Sequence, residues 1–176
     1  NALTLLRQKK NIRLLEAGNA DKTEHGYDMK KIVGGILVQT RNFPKLNKKD
    51  LKIASNRVPS EEEIDSMLFA FKVNKHVKSN SIVFAKDNVT VGIGAGQMSR
   101  VDAVKLAAIK SNNKSKGAVM SSDAYFPFRD GIDEAAKAGI TAIIQPGGSL
   151  RDKEVIDAAN EHGMAMVFTG IRLFKH

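Results

Sequence analysis

From residue 117 onward, short apolar runs alternate with amphipathic segments, and that order constrains the fold more than any other feature of the chain. Gly117 to Met120 reads as a short strand, Asp130 to Ala138 as a helix and Ile140 to Ile144 as an apolar strand. Arg151 to His162 reads as a second helix and Met164 to Thr169 as the last strand. A strand apolar on both faces is expected where helices cover both sides of a sheet. Gly139 and Gly163 stand where a helix ends most easily in a left-handed residue. The class is therefore α/β, with a sheet covered by helices.

The signals upstream are also readable. Ser60 followed by Glu63 forms a capping box, and Ile64, Met67, Leu68 and Phe71 then fall on one helical face, in a helix expected to run to about Lys78. Ser81 to Lys86 and Asn88 to Ile93 are expected strands around an Asp87-Asn88 turn. Met98 to about Lys110 is expected to be helical. The first third reads as short strands and turns: Ile12 to Leu15, then Met29 to Thr40 broken at Gly34-Gly35 by a bulge or close backbone approach, a loop from Asn42 to Asp50 through Pro44, and a weak strand at Leu51 to Ala54. Asn1-Ala2 looks like the remnant of a cleaved tag and is set aside. The organisation expected is a basic, strand- and loop-rich segment over 3–57 and an α/β subdomain over 58–176.

Charge and composition exclude several function classes. Residues 1–57 hold 13 Lys/Arg against 5 Asp/Glu, whereas residues 58–176 hold 15 against 14, so the net +9 belongs to the first third. Two Tyr and no Trp give little to stack bases on, which argues against a nucleic-acid platform. There is no run of about 20 apolar residues to span a bilayer. With no cysteine there is no disulfide framework, thiol nucleophile or thiolate zinc site, and a cytoplasmic setting is expected.

Three loops follow predicted strand ends, where open α/β sheets bind ligands. Gly92-Ile93-Gly94-Ala95-Gly96-Gln97 could let the backbone approach an anion, and a tight structural turn explains it equally well. Residues 121–130 place three aromatics and a proline beside Asp, Arg and Ser. They could form a slot for a planar heterocycle, or an aromatic anchor for a helix capped by Asp130. Gln145-Pro146-Gly147-Gly148-Ser149 offers amides and a hydroxyl ahead of a helix. His25 in a polar loop, His162 at a helix end and His76 beside Lys75 and Lys78 read as structural or solvated, and no spacing suits zinc.

Taken together, Ser79-Asn80-Ser81, the run Val91 to Arg100, the loop Ser122 to Asp130, Gln145 to Ser149 and the ending Arg172-Leu173-Phe174-Lys175-His176 resemble the C-terminal half of the aminoimidazole carboxamide ribonucleotide (AICAR) transformylase family, over roughly residues 3–176. In that family the transformylase is normally fused to an N-terminal inosinate cyclohydrolase. The resemblance implies a three-layer, cytidine-deaminase-like subdomain with a mixed sheet, the second of two in the transformylase. It implies formyl transfer from 10-formyltetrahydrofolate to the 5-amino group of AICAR. Asn80 would contact the reacting groups, with a catalytic role, and Arg100 would line the same pocket. Tyr125, where the family often has Phe, would pack on the imidazole, and Arg172 would bind the 5′-phosphate. Val101, Pro127, Phe128, Asp130 and Ser149 match folate positions. His176 would support the catalytic histidine, and potassium would sit near Ser79, Ser81 and Asp123, with no zinc.

One departure bears on activity. The family's catalytic pair lies in a Lys-His-x-Asn/Ser-Pro segment, and Lys75-His76 is followed instead by Val77-Lys78. The expectation is a C-terminal piece of a longer enzyme, inactive alone, whose partners are AICAR, folate, the N-terminal part of the same enzyme and a second copy in a homodimer. A stand-alone nucleotide- or folate-binding module is the alternative.

Overall fold

The structure, a computed structural model, describes residues 2–16, 18, 26–42 and 45–176. The expectations for Asn1, His25 and Pro44 lie outside the described residues. Contacts divide the chain into two units, Asn1–Phe43 and Pro44–His176.

The first unit holds a short helix α1 (Ala2–Arg7) and an antiparallel hairpin of β1 (Tyr27–Ile32) and β2 (Gly35–Thr40). The break at Gly34-Gly35 is thus a hairpin turn, with Gly34 at φ 82°, rather than a bulge in one strand. Residues 12–15, expected as a strand, are irregular and exposed.

The second unit contains β3 (Lys52–Ile53), α2 (Glu61–Asn74), β4 (Ile82–Lys86), β5 (Val89–Gly94), α3 (Arg100–Ser111), β6 (Val119–Ser122), α4 (Asp130–Lys137), β7 (Ala142–Gln145), α5 (Asp152–Glu161) and β8 (Ala165–Phe168). The six strands form one mixed sheet in the order β3-β8-β7-β6-β4-β5. β6, β7 and β8 are parallel, and β3, β4 and β5 run antiparallel to their neighbours.

Period-2 alternation sorts the strand side chains into two cores. Ile82, Phe84, Met120, Ile143 and Met166 pack with Val104, Ile132 and Val155 of α3, α4 and α5. Val83, Ala85, Val119, Ile144 and Val167 pack on the other face with Met67, Ala70 and Phe71 of α2 and with Leu173 of the C-terminal tail. Helices on both faces make the three layers the sequence led us to expect.

Local chemistry sets the boundaries. Ser60 Oγ accepts from Glu63 N, and Glu63 returns a bond to Ser60 N, which starts α2; the helix ends at Asn74, one turn short of Lys78. Ser99 caps α3 through Asp102 N, and Asn112 ends it in the left-handed region. Asp87 and Asn88 both have positive φ, as a two-residue hairpin turn requires. Arg129, not Asp130, occupies the cap position of α4.

Candidate functional site

Topology brings the five motif segments to one edge of the sheet. The parallel strands β6, β7 and β8 end there, so the loops after them open on the same side. β4 begins there, with Ile82 opposite Ser122, and β5 ends there, with Gly94 opposite Ile82. Segments 79–81, 95–101, 122–130, 145–149 and 169–176 therefore meet at this edge. Backbone bonds join them: Ser79 N donates to Lys175 O (2.9 Å), Leu173 N to Asp123 O (2.8 Å), and Asp123 N to Ser81 O (3.3 Å). Asn80 and Gln97 exchange bonds in both directions at 3.3 and 3.2 Å.

At the centre lies a buried ion pair. Arg100 Nη1 is 2.5 Å from Asp123 Oδ1, with side-chain exposures of 8% and 0%. Arg100 also donates to Ser122 Oγ (3.0 Å) and to Asn80 Oδ1 (3.1 Å). Asn80 Nδ2 faces the carbonyls of Gln97 (3.0 Å) and Met98 (3.3 Å). A cation at the first residue of a helix opposes the helix dipole, so Arg100 sits there for its side-chain partners and not for α3. Asp123 Oδ2 is buried without a hydrogen-bond partner.

The aromatic loop divides its two readings between residues. Phe126 is buried, with its amide donating to Gln145 Oε1, and is the anchor. Tyr125 is half-buried and Phe128 is exposed. Each is covered by an arginine: Arg172 lies 5.2 Å over the Tyr125 ring and Arg151 4.7 Å over that of Phe128. Alternation in the extended tail buries Leu173 and leaves Arg172, Phe174 and His176 exposed, with the Phe174 and His176 rings 5.5 Å apart.

The remaining candidates are placed as follows. Val101 is in the first turn of α3 and half-buried, Pro127 is half-buried, and Asp130 is the exposed first residue of α4, its Oδ1 accepting from Gly131 N. Ser149 Oγ accepts from Arg151 N, which links it to the arginine over Phe128. The amides of Gly148 and Ser149 already bond the Asp152 carboxylate, so that loop is closed by its own helix. In the glycine run, Cβ atoms at Gly92 and Gly94 would lie 2.3 and 1.9 Å from the Ala107 and Ala103 carbonyls. These two glycines let α3 pack directly on β5, and the turn itself belongs to Gly96 at φ 65°. His76 is largely exposed, but the partial loss of hydration on its packed side, with Lys75 and Lys175 nearby, holds its pKa below the usual imidazole value. His162 bonds Asp133 (2.8 Å) between α4 and α5, away from this edge. The cleft of about 460 Å³ on α5 has three cations, Arg129, Arg151 and Lys153, facing Glu154, Asp157 and Glu161, and so has no net preference for an anion.

One buried residue was missed. Asn74 continues the apolar face of α2 three residues after Phe71, and an amide on such a stripe is the sequence signal. Fully buried, it bonds Ser81 and Ser121 beneath the edge.

The sequence model of the AICARFT/IMPCHase bienzyme family matches residues 1–110. The chain belongs to this family. The match takes in the Ser79-Asn80-Ser81 and Val91 to Arg100 segments and ends within α3. AICARFT/IMPCHase bienzymes act in purine biosynthesis, on AICAR with a folate cosubstrate, and pair the transformylase with a second domain. Among the described residues, no helix is long and apolar enough to cross a membrane.

Proposed function

We propose that the Pro44–His176 unit carries part of a formyltransferase site, at which the 5-amino group of AICAR takes the formyl group of 10-formyltetrahydrofolate. The observation that carries this reading is the meeting of five separate motif segments at one sheet edge around the Arg100–Asp123–Asn80 cluster. The 5-amino group is a weak nucleophile because its lone pair is delocalised into the ring and carboxamide. Catalysis therefore depends on orientation, proton removal and stabilisation of a tetrahedral oxyanion.

Asn80 Oδ1 receives one bond from Arg100 and keeps a second lone pair. It can accept from the amine and hold it in line with the formyl carbon. Arg100 acts through Asn80, as a positioning residue. Tyr125 supplies a ring face for the imidazole, and Arg172, already over that ring, a guanidinium fork for the 5′-phosphate. Val101, Pro127, Phe128, Asp130 and Ser149 belong to the starts of α3, α4 and α5, and there the folate would lie with Asp130 accepting from pterin donors. His176 would support a histidine supplied from outside this sequence.

In this reading a monovalent cation, potassium, would sit in the seam below. Asp123 Oδ2, buried without a hydrogen-bond partner, would supply a carboxylate oxygen, and Ser81 and Ser79, the latter already accepting from Lys175 N, would supply neutral ones. Bound there, the ion would use the Asp123 oxygen that Arg100 leaves without a partner and hold the tail against β4. Proton removal needs the Lys-His pair, whose segment pattern this sequence lacks, so the chain alone binds without turning over. A cytoplasmic homodimer completes the proposal.

Calorimetric titration with AICAR and with its unphosphorylated riboside tests the assignment. A charge-assisted hydrogen bond contributes roughly 1.5–3 kcal/mol, so Arg172→Ala should weaken AICAR binding about tenfold or more. Riboside binding should change little. Equal loss for both ligands contradicts a phosphate role, and turnover by the chain alone contradicts the need for the missing pair.

A further inference from the structure

The polar seam beneath the sheet edge contains an amide, Asn74, that the proposed chemistry does not use. Its orientation follows from its neighbours. The Ser121 carbonyl can only accept, so the atom facing it at 3.1 Å must be Nδ2. Oδ1 then faces Ser81 Oγ at 2.7 Å. An amide oxygen only accepts, so Ser81 must give its single hydroxyl proton to Asn74, and both of its lone pairs point elsewhere. Ser121 is set the opposite way: its Oγ takes a bond from Nδ2 at 3.2 Å and keeps its own proton free. All three side chains are fully buried, so water cannot reset them. The Ser81 carbonyl accepts in turn from Asp123 N, the residue whose Oδ1 is paired with Arg100 and whose Oδ2 has no hydrogen-bond partner.

We propose that Asn74 is a positioning residue for a monovalent cation bound beside Ser81 and Asp123, locking the Ser81 hydroxyl with its lone pairs available to the ion. The proposal rests on the cation reading given above. A cation binds the oxygen end of a hydroxyl and is repelled by the proton end, so a rotor fixed in the right sense removes a competing orientation before the ion arrives. Partners one bond removed from the ion commonly set affinity in this way. If Asn74 only joins α2 to the sheet, replacing it costs stability alone. If it positions Ser81, replacing it also changes how stability depends on the cation.

The test is a potassium titration of the thermal midpoint of the chain, with choline replacing potassium at constant ionic strength. Wild type should be stabilised along a saturating curve. Asn74→Ala and Asn74→Leu, which remove the acceptor for the Ser81 proton, should melt lower in choline and need at least tenfold more potassium to reach half effect. A lower melting temperature with an unchanged potassium midpoint overturns the role of Asn74 and leaves the cation site standing. No potassium effect on wild type overturns the cation reading itself. Should the variants fail to fold, the side-chain amide resonances of Asn74 in the wild-type ¹⁵N spectrum answer the same question. They should move with the midpoint of the thermal titration, and resonances that stay still while the protein is stabilised overturn the proposal.

Discussion

Arg100 and Asp123 show what the edge demands of single residues. Each alone is a buried charge, and removing one partner of such a pair costs roughly 3–5 kcal/mol because the other is left uncompensated. Asp123→Ala should therefore lower stability by about that amount in urea denaturation. The double variant Arg100→Met/Asp123→Leu should recover much of the loss, since similar apolar volume replaces both charges. A single-variant cost below about 1 kcal/mol, typical of surface pairs, would mean that the pair is solvated. The two lie 23 positions apart, and Asn80 and Arg100 20 apart. No local pattern in the sequence announces these pairings. Motif resemblance marked all three residues as belonging to the site, but it could not say that Arg100 bonds its own neighbours. Asn74 was legible only as an interruption of an apolar stripe.

At the scale of elements, close approach and capping carry the fold. A Cβ at Gly94 would sit 1.9 Å from the Ala103 carbonyl, a backbone atom that cannot rotate away. Gly94→Ala should cost about 3 kcal/mol, the upper end of overpacking, and an ordinary melting temperature for that variant would show that α3 stands off from β5. Glu63 ties the start of α2 to Arg57 through two bonds, at 2.9 and 2.8 Å, while Arg57 also bonds the carbonyls of Gly163 and Thr141. Burial alone would raise the Glu63 pKa, but hydrogen bonds led by Arg57 hold it below the ordinary 4.5. The native state then binds fewer protons than the unfolded chain in acid. The contribution is complete above the unfolded value and is lost as pH falls through the depressed native one. Between about pH 5 and 3 the wild type should lose stability more steeply than Glu63→Gln, and parallel urea midpoints would remove Glu63 from the acid response. The capping box, the Asp87-Asn88 turn and the helix-closing glycines were readable because each is fixed by its own few residues. Ile12 to Leu15 misled because an apolar run becomes a strand only with a partner strand, and among the described residues none pairs with it.

For the whole molecule, the two units differ in kind. Pro44–His176 has a core on each face of its sheet, whereas no described side chain of Asn1–Phe43 is buried. A two-stranded hairpin is marginal alone in water, and one face of this one is largely apolar, with Lys31 at its turn end. Cross-strand register places Met29 opposite Val38 and Lys31 opposite Ile36, so Tyr27, Met29, Ile36 and Val38 share one face. All four are more than half exposed. Such a face, on a sheet with no third strand among the described residues, tends to recruit a partner. The occupant we expect is a second copy of the chain, as in the proposed homodimer. A self-complementary apolar strip closes under a twofold axis, and like charge from the surrounding lysines disfavours simple stacking into larger arrays. A stable pair would bury well over about 1,000 Å² in total. Sedimentation across a concentration series should show a dimer. Met29→Glu/Val38→Glu, a directly facing pair, should shift it to monomer while the Pro44–His176 unit keeps its melting transition. A wild type that stays monomeric at the highest concentrations would assign this face to another part of the enzyme, and a double variant that stays dimeric would move the interface off the hairpin.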